Sequence, residues 1–278
     1  MGLVATGDSF FSDIGRRRLT KRYRVFSEDE LSYYNIKSRE WDFDTIASRY
    51  NSSGHLGFKL DSGKFGAACA SLEKKFGAVA DVANLFKGVK VPFVIPKIEA
   101  QRDLSDSLIV DFLPALEASF RAAYPLAHFK AVMQGGATLK NNLVIAEGSR
   151  YNQLLDLASQ GPLVGWYFPQ ALQQFDVASQ IEQMSELPAL EGMCLSGPVE
   201  IIHAVLGLPG LLINEEGYAP ILCMSAVRHI DERLALVLKA YGPHLEFWCL
   251  SQMLSVGVTQ ASEQWAGGIT LFQHYDNR

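Results

Sequence analysis

The sequence predicts an α+β protein: a helix-rich first half, mixed short strands and helices in the second half, and a basic N-terminal arm. Three observations lead there. Apolar residues recur at steps of three and four through much of residues 27–124, the spacing of one helix face. Beyond residue 150, short apolar runs are punctuated by Gly and Pro without the regular alternation of a parallel sheet. Six of the nine residues from Arg16 to Arg24 are basic, in a chain whose formal net charge is −5. The expected organisation is an arm over residues 1–26 and an α+β body over residues 27–278. A subdivision near residue 150 is suggested only by a shift of charge.

The arm is Gly-, Ser- and Asp-rich at first and then strongly basic. It ends at Ser27, which with Glu30 forms a Ser-x-x-Glu capping box; Phe26 and Leu31 occupy the staple positions, and Glu28, Asp29 and Glu30 suit the positive end of a helix dipole. A second helix is predicted over Trp41–Tyr50, closed by the turn-rich Asn51–Gly54. Phe65, Cys69, Leu72, Phe76, Val79, Ala83 and Phe86 form one helical stripe, with Gly77 as a point where it breaks. That stripe packs on the chain's own core or, in a sharper reading, against another subunit. Val89–Pro96 alternates as a strand, and Pro92 and Pro96 restrict it to a sheet edge or an extended run. Leu108, Phe112, Leu116, Phe120 and Tyr124 return to helical spacing, with Pro114 marking a kink or a new start.

In the second half, apolar runs at Pro162–Phe168, Leu211–Ile213, Ile221–Met224, Glu246–Val258 and Ile269–Phe272 read as strands. Asn214–Gly217 between two of them reads as a hairpin turn. Helices are predicted near Pro198–Leu206 and over Ile230–Tyr241, the latter stopped by Gly242-Pro243.

Composition excludes several classes. Hydrophobic residues at 48% against 20% charged describe a chain able to bury a core, not a disordered one. No run approaches the roughly 18 apolar residues of a membrane span, and the first residues lack the order of a secretory signal. Cys69, Cys194, Cys223 and Cys249 stand in apolar surroundings without a CxxC pair and read as buried free thiols of a reducing compartment. The expected location is intracellular (cytoplasmic) or within a virion.

Catalytic motifs fail one by one. Gly57–Phe65 approaches a phosphate-binding loop, but its glycines are too far apart and Phe65 stands where a hydroxyl is needed. Neither GxGxxG after a strand nor GxSxG is present, and Ser196 suits a helix start better than a nucleophile. His55, His128, His203, His229, His244 and His274 show no metal-ligand spacing. Arg228–Arg233, read as a helix, gives surface ion pairs, with a site built from His229 and a carboxylate as the sharper alternative. No cofactor, metal site or catalytic residue is assigned.

By elimination the candidate binding residues are Arg16, Arg17, Arg18, Lys21, Arg22 and Arg24, with Tyr23 among them. Such a run attracts nucleic acid through counterion release, or docks on a neighbouring subunit. Residues 1–150 carry 21 Lys and Arg against 17 Asp and Glu, whereas residues 151–278 carry 4 against 13, a polarity that favours head-to-tail self-association. Met1–Thr6 also fits a minimal myristoylation pattern. The leading expectation is a self-assembling structural protein of a virion shell or nucleoprotein. The alternatives are an intracellular enzyme with a site assembled from distant residues, and a membrane-peripheral adaptor.

Overall fold

The computed structural model describes residues 9–18, 34–37, 39–214, 217–251, 254–255, 258–259 and 264–277. In chain order these form α1 (Phe43–Ser53), α2 (Ser62–Gly77), α3 (Ala80–Ala83), β1 (Val91–Ile95), α4 (Leu104–Ser107), α5 (Leu113–Ala123), β2 (Phe129–Met133), β3 (Leu143–Ile145), α6 (Tyr151–Gln160), β4 (Leu163–Gln173), α7 (Val177–Glu186), β5 (Met193–Leu195), α8 (Pro198–Gly207), β6 (Ile221–Cys223), β7 (Val227–His229), β8 (Leu234–Tyr241), β9 (His244–Ser251), the short pair β10 (Leu254–Ser255) and β11 (Val258–Thr259), and β12 (Trp265–His274). The class is α+β. The capping box at Ser27 and the Met1–Thr6 pattern lie outside the described residues, as do Glu215 and Glu216 of the expected hairpin turn.

One mixed sheet organises the molecule, in the order β1-β4-β12-β6-β8-β9-β2, with β5 paired to β12 beside β6. The strands β4 and β12 run antiparallel over almost their full lengths, from Leu163 opposite His274 to Gln173 opposite Ala266. The sheet draws strands from both sides of residue 150, and a continuous core joins Phe65, Phe93 and Phe120 to Tyr167, Leu195 and Phe247. Its first strand, β1, carries Pro92 at the edge, where a missing N–H costs no interior ladder bond.

Asp42 caps α1 by accepting from the Asp44 and Thr45 amides, and Asp61 caps α2 through the Lys64 amide. On α2, Phe65, Cys69, Leu72 and Phe76 are buried in the chain's own core, so the stripe is not an intersubunit face there. The Trp166 indole donates to the Cys69 carbonyl at 2.9 Å, fastening α2 to β4. The helix stops at Gly77, and the rest of the stripe continues on α3 and a 3₁₀ turn over Asn84–Lys87.

Three local expectations are corrected. Residues 234–241 are a strand, not a helix. Leu234, Val237, Leu238 and Tyr241 have helical spacing by coincidence, because Ala235–Leu238 is buried on both faces of the sheet and shows no alternation. Gly242-Pro243 turns β8 into β9, with Gly242 at φ 56°. Leu211–Ile213 forms turns after α8 and makes no strand. Arg228–Arg233 is β7 plus a turn, so Arg233 chelates Asp231 at 2.9 and 2.7 Å and no helical Arg228–Glu232 pair forms.

Candidate functional site

Residues 9–18, within the expected arm, lie against the body. Phe11 is fully buried, and the Arg17 amide donates to the Ala171 carbonyl on β4. Gly15, at φ 72°, packs directly on Gly88, and a Cβ there would stand 2.4 Å from the Gly88 amide nitrogen. The three described cations of the basic run have different surroundings. Arg17 is buried, pairs with Glu186 at 3.2 Å and stacks over Phe10 at 4.9 Å. Arg18 donates from Nε to the carbonyls of Ser9 and Phe11. Arg16 donates to Asn35 Oδ1 at 2.6 Å. Lys21, Arg22 and Arg24, with Tyr23, lie outside the described residues.

Asn35 leads from that run into a cleft of about 350 Å³. Segment 34–37 is held there by two buried glutamines of β4. Gln170 Oε1 accepts from the Ile36 amide at 3.0 Å, and the Gln170 and Gln173 side-chain amides donate to the Tyr34 carbonyl at 3.2 and 2.8 Å. Polar side chains at those core positions are satisfied by backbone groups of an incoming segment. Lys37, Arg39 and Arg49 line the cleft, with Trp41 and Tyr124, and among the described residues no carboxylate does. Arg49 is fixed by its bond to the Gly207 carbonyl at 3.1 Å. The Trp41 indole N–H is buried and has no acceptor among the described residues. A second cleft of about 440 Å³ adjoins through Arg49, Tyr124 and Gly210 and adds the serines 48, 52, 53 and 119. Chemically this surface offers cations, hydroxyls and aromatic rings, the complement of a phosphate-bearing chain.

Two other polar clusters are assembled from distant residues. In the first, Ser196 donates to Thr270 and Thr270 to Glu200 Oε1. Glu200 also accepts from the Gly197 amide at 2.6 Å and the Tyr151 hydroxyl at 2.7 Å. The direction of the Ser196–Thr270 bond follows from Thr270 having its one proton engaged with Glu200. All four side chains are sealed from solvent. Burial pushes the Glu200 carboxyl up to about 7, against the pull of its donors. Ser196 thus precedes the α8 cap and is no exposed nucleophile. The cluster joins α6, α8 and β12, an architectural role.

In the second, His55 and His203 meet through their Nε2 atoms at 3.0 Å. Burial drives His203 down to about 3, with His55 adding to the effect. No sequence signal marked this pair, since 148 positions separate its members. The other histidines are structural or superficial. His229 Nε2 donates to the Thr138 carbonyl and Nδ1 accepts from the Asp231 amide, so both ring nitrogens are engaged by backbone groups and the ring buttresses a turn. His128 and His244 stack at 3.6 Å, and the His128 amide donates to His244 Nδ1.

All four cysteines are free and buried, and burial raises their thiols, Cys249 to about 11. Among the described residues no group of three metal-ligating side chains gathers, and no helix is long and apolar enough to cross a membrane. Comparison with protein-family models, with curated proteins and with solved structures finds no match for the chain.

Proposed function

We propose that the protein is a self-assembling structural component of a virion shell or nucleoprotein, and that it holds nucleic acid along a basic surface running from the N-terminal run into the Lys37–Arg39–Arg49 cleft. The observation that carries this reading is the convergence of Lys37 and Arg39, from the stretch before α1, with Arg49 of α1 on a cleft that no described carboxylate lines. Arg16 stands next to it through Asn35, and the buried Trp41 indole N–H has no acceptor among the described residues. Arginine and lysine position phosphates without reading sequence, and aromatic rings stack bases of any kind. Arg17 is excluded from this role because its guanidinium is engaged with Glu186.

Self-association is supported by the opposite charge of the two halves and by β2, whose only strand partner among the described residues is β9. Fluorescence anisotropy with a labelled single-stranded oligonucleotide, between about 50 and 200 mM salt, tests the interface. Lys37→Gln and Arg39→Gln should each weaken binding across all sequences and flatten the log–log salt slope by about 1. Unchanged slopes in both variants would remove the cleft from the interface. Mass photometry tests assembly, and a folded monomer at micromolar concentration and low salt sinks that half of the reading. An enzyme with a site built from distant residues is the second reading, favoured by the His55–His203 pair.

A further inference from the structure

A separate cleft of about 520 Å³ lies beside His55 and is bounded by a π-helical turn over Leu108–Phe112, between α4 and α5. The turn has a local cause. Pro114 has no N–H to offer the Val110 carbonyl, so the ladder slips and the Leu113 amide bonds back to the Leu108 carbonyl. Single π-turns within helices recur at functional sites. This one holds Phe112 edge-on against both His55 and His203 and leaves Val110 59% exposed on the cleft wall.

The proton arrangement of the histidine pair follows from its partners. His203 Nδ1 lies 2.6 Å from the Val199 carbonyl, which can only accept, so Nδ1 carries the proton. His203 Nε2 is then an acceptor, and the donor 3.0 Å away must be His55 Nε2–H. His55 is thereby held in one neutral tautomer with the Nδ1 lone pair open, and no protein donor among the described residues meets it. Burial favours the neutral ring, opposed by the charge of Asp111. Ser107, only 2% exposed, lines the same cleft, and its hydroxyl has no hydrogen-bond partner among the described residues. Arg102 and Asp111 neutralise each other at its rim. Lys97 and Glu99 also line the cleft, and Leu56, Ile98, Val110 and Phe112 supply an apolar strip of its wall.

We propose that this cleft binds small aromatic molecules bearing an acidic hydroxyl, with the hydroxyl donating to His55 Nδ1 and accepting from Ser107, and with His203 as the positioning residue. A hydroxyl can do both at once, an acidic phenolic one donates more strongly than an alcohol, and its ring can pack on the strip formed by Ile98, Val110 and Phe112. In the bound state the proton is shared between the phenolic oxygen and Nδ1, and no other bond is made or broken.

The probe is 4-nitrophenol, whose ionisation is read by absorbance, titrated into the full chain while imidazole nitrogens are followed by long-range proton–nitrogen correlation spectra. Expected are a His55 ring protonated at Nε2 before addition and a saturable shift of its Nδ1 signal. His55→Phe should weaken binding by about tenfold, the order of one lost hydrogen bond. Val110→Trp, at an exposed position, should block the cleft while leaving the fold and both rings intact. His203→Asn should release the His55 tautomer as well as weaken binding, which separates positioning from simple packing. Absence of saturable binding to the wild type overturns the proposal, and so does binding undiminished in both His55→Phe and Val110→Trp.

Discussion

Glu200 is the residue whose environment has the clearest thermodynamic signature. Its carboxyl accepts three hydrogen bonds, yet it sits with Tyr151, Thr270 and Ser196 in a region without solvent. Burial wins and raises its folded-state value from 4.5 to about 7. A raised carboxyl stabilises the folded state fully below its unfolded value and loses that contribution as pH climbs through the folded one. The affected window is therefore pH 4.5 to about 7. At about 1.4 kcal/mol per unit, the contribution is on the order of a few kcal/mol. Denaturant midpoints of the wild type should fall between pH 5 and 8, while those of Glu200→Gln stay flatter; parallel curves would show that Glu200 ionises without penalty. The sequence contained a Glu three residues after a Gly-Pro helix start, which is a capping position. It contained nothing to show that Tyr151 and Thr270 would close over that carboxylate, because the three are joined only by the packing of α6, α8 and β12.

Elements were legible where local chemistry alone decided them. Pro92 restricted β1 to an edge, Gly77 marked where α2 breaks, and Pro198 opened α8, whereas the Asp61 cap of α2 came to light only in the structure. They were illegible where burial on both faces erased the period, as in β8, whose apolar run satisfies helix and strand alike until β9 pairs with it. The turn between those two strands makes a direct test. Gly242 has φ 56° and nothing within 4 Å of a would-be Cβ, so Gly242→Ala should cost about 1 kcal/mol from backbone conformation alone. A midpoint unchanged in urea would contradict that turn. On α2, Phe76 is 1% exposed in the chain's own core, so Phe76→Ala should cost about 3–5 kcal/mol and Phe76→Asp should unfold the protein by circular dichroism. A folded Phe76→Asp chain that merely fails to associate would restore the intersubunit face excluded by this packing.

At the scale of the molecule, charge and topology act in different ways. The +4 and −9 balances of the two halves are a property of composition and were readable directly. The basic cleft was not, because Lys37 and Arg39 reach Arg49 only after Gln170 and Gln173 have anchored segment 34–37 on β4. Arg17 shows the converse. Its membership of a basic run suggested an outward role, whereas the fold turns it to Glu186, 169 positions away. Charge counted along a chain therefore overstates the charge that a surface presents.

The place of β12 has a consequence for how the chain is made. Positions 265–274 supply the strand that β4 grips on one side and β5 and β6 on the other. Until it exists, β1 with β4 and the β6-β8-β9-β2 group are two ribbons that share no strand pairing among the described residues. During synthesis the growing polypeptide would expose the apolar faces of both ribbons until position 274 emerges, a hazard typical of late long-range pairing. A chain stopped before Trp265 should bind a hydrophobic dye and melt without a cooperative transition; a sharp, native-like melt would show that one ribbon stands alone. The same geometry makes β12 the keystone for quality control, since a cell that tests for its insertion tests for completion of the whole sheet.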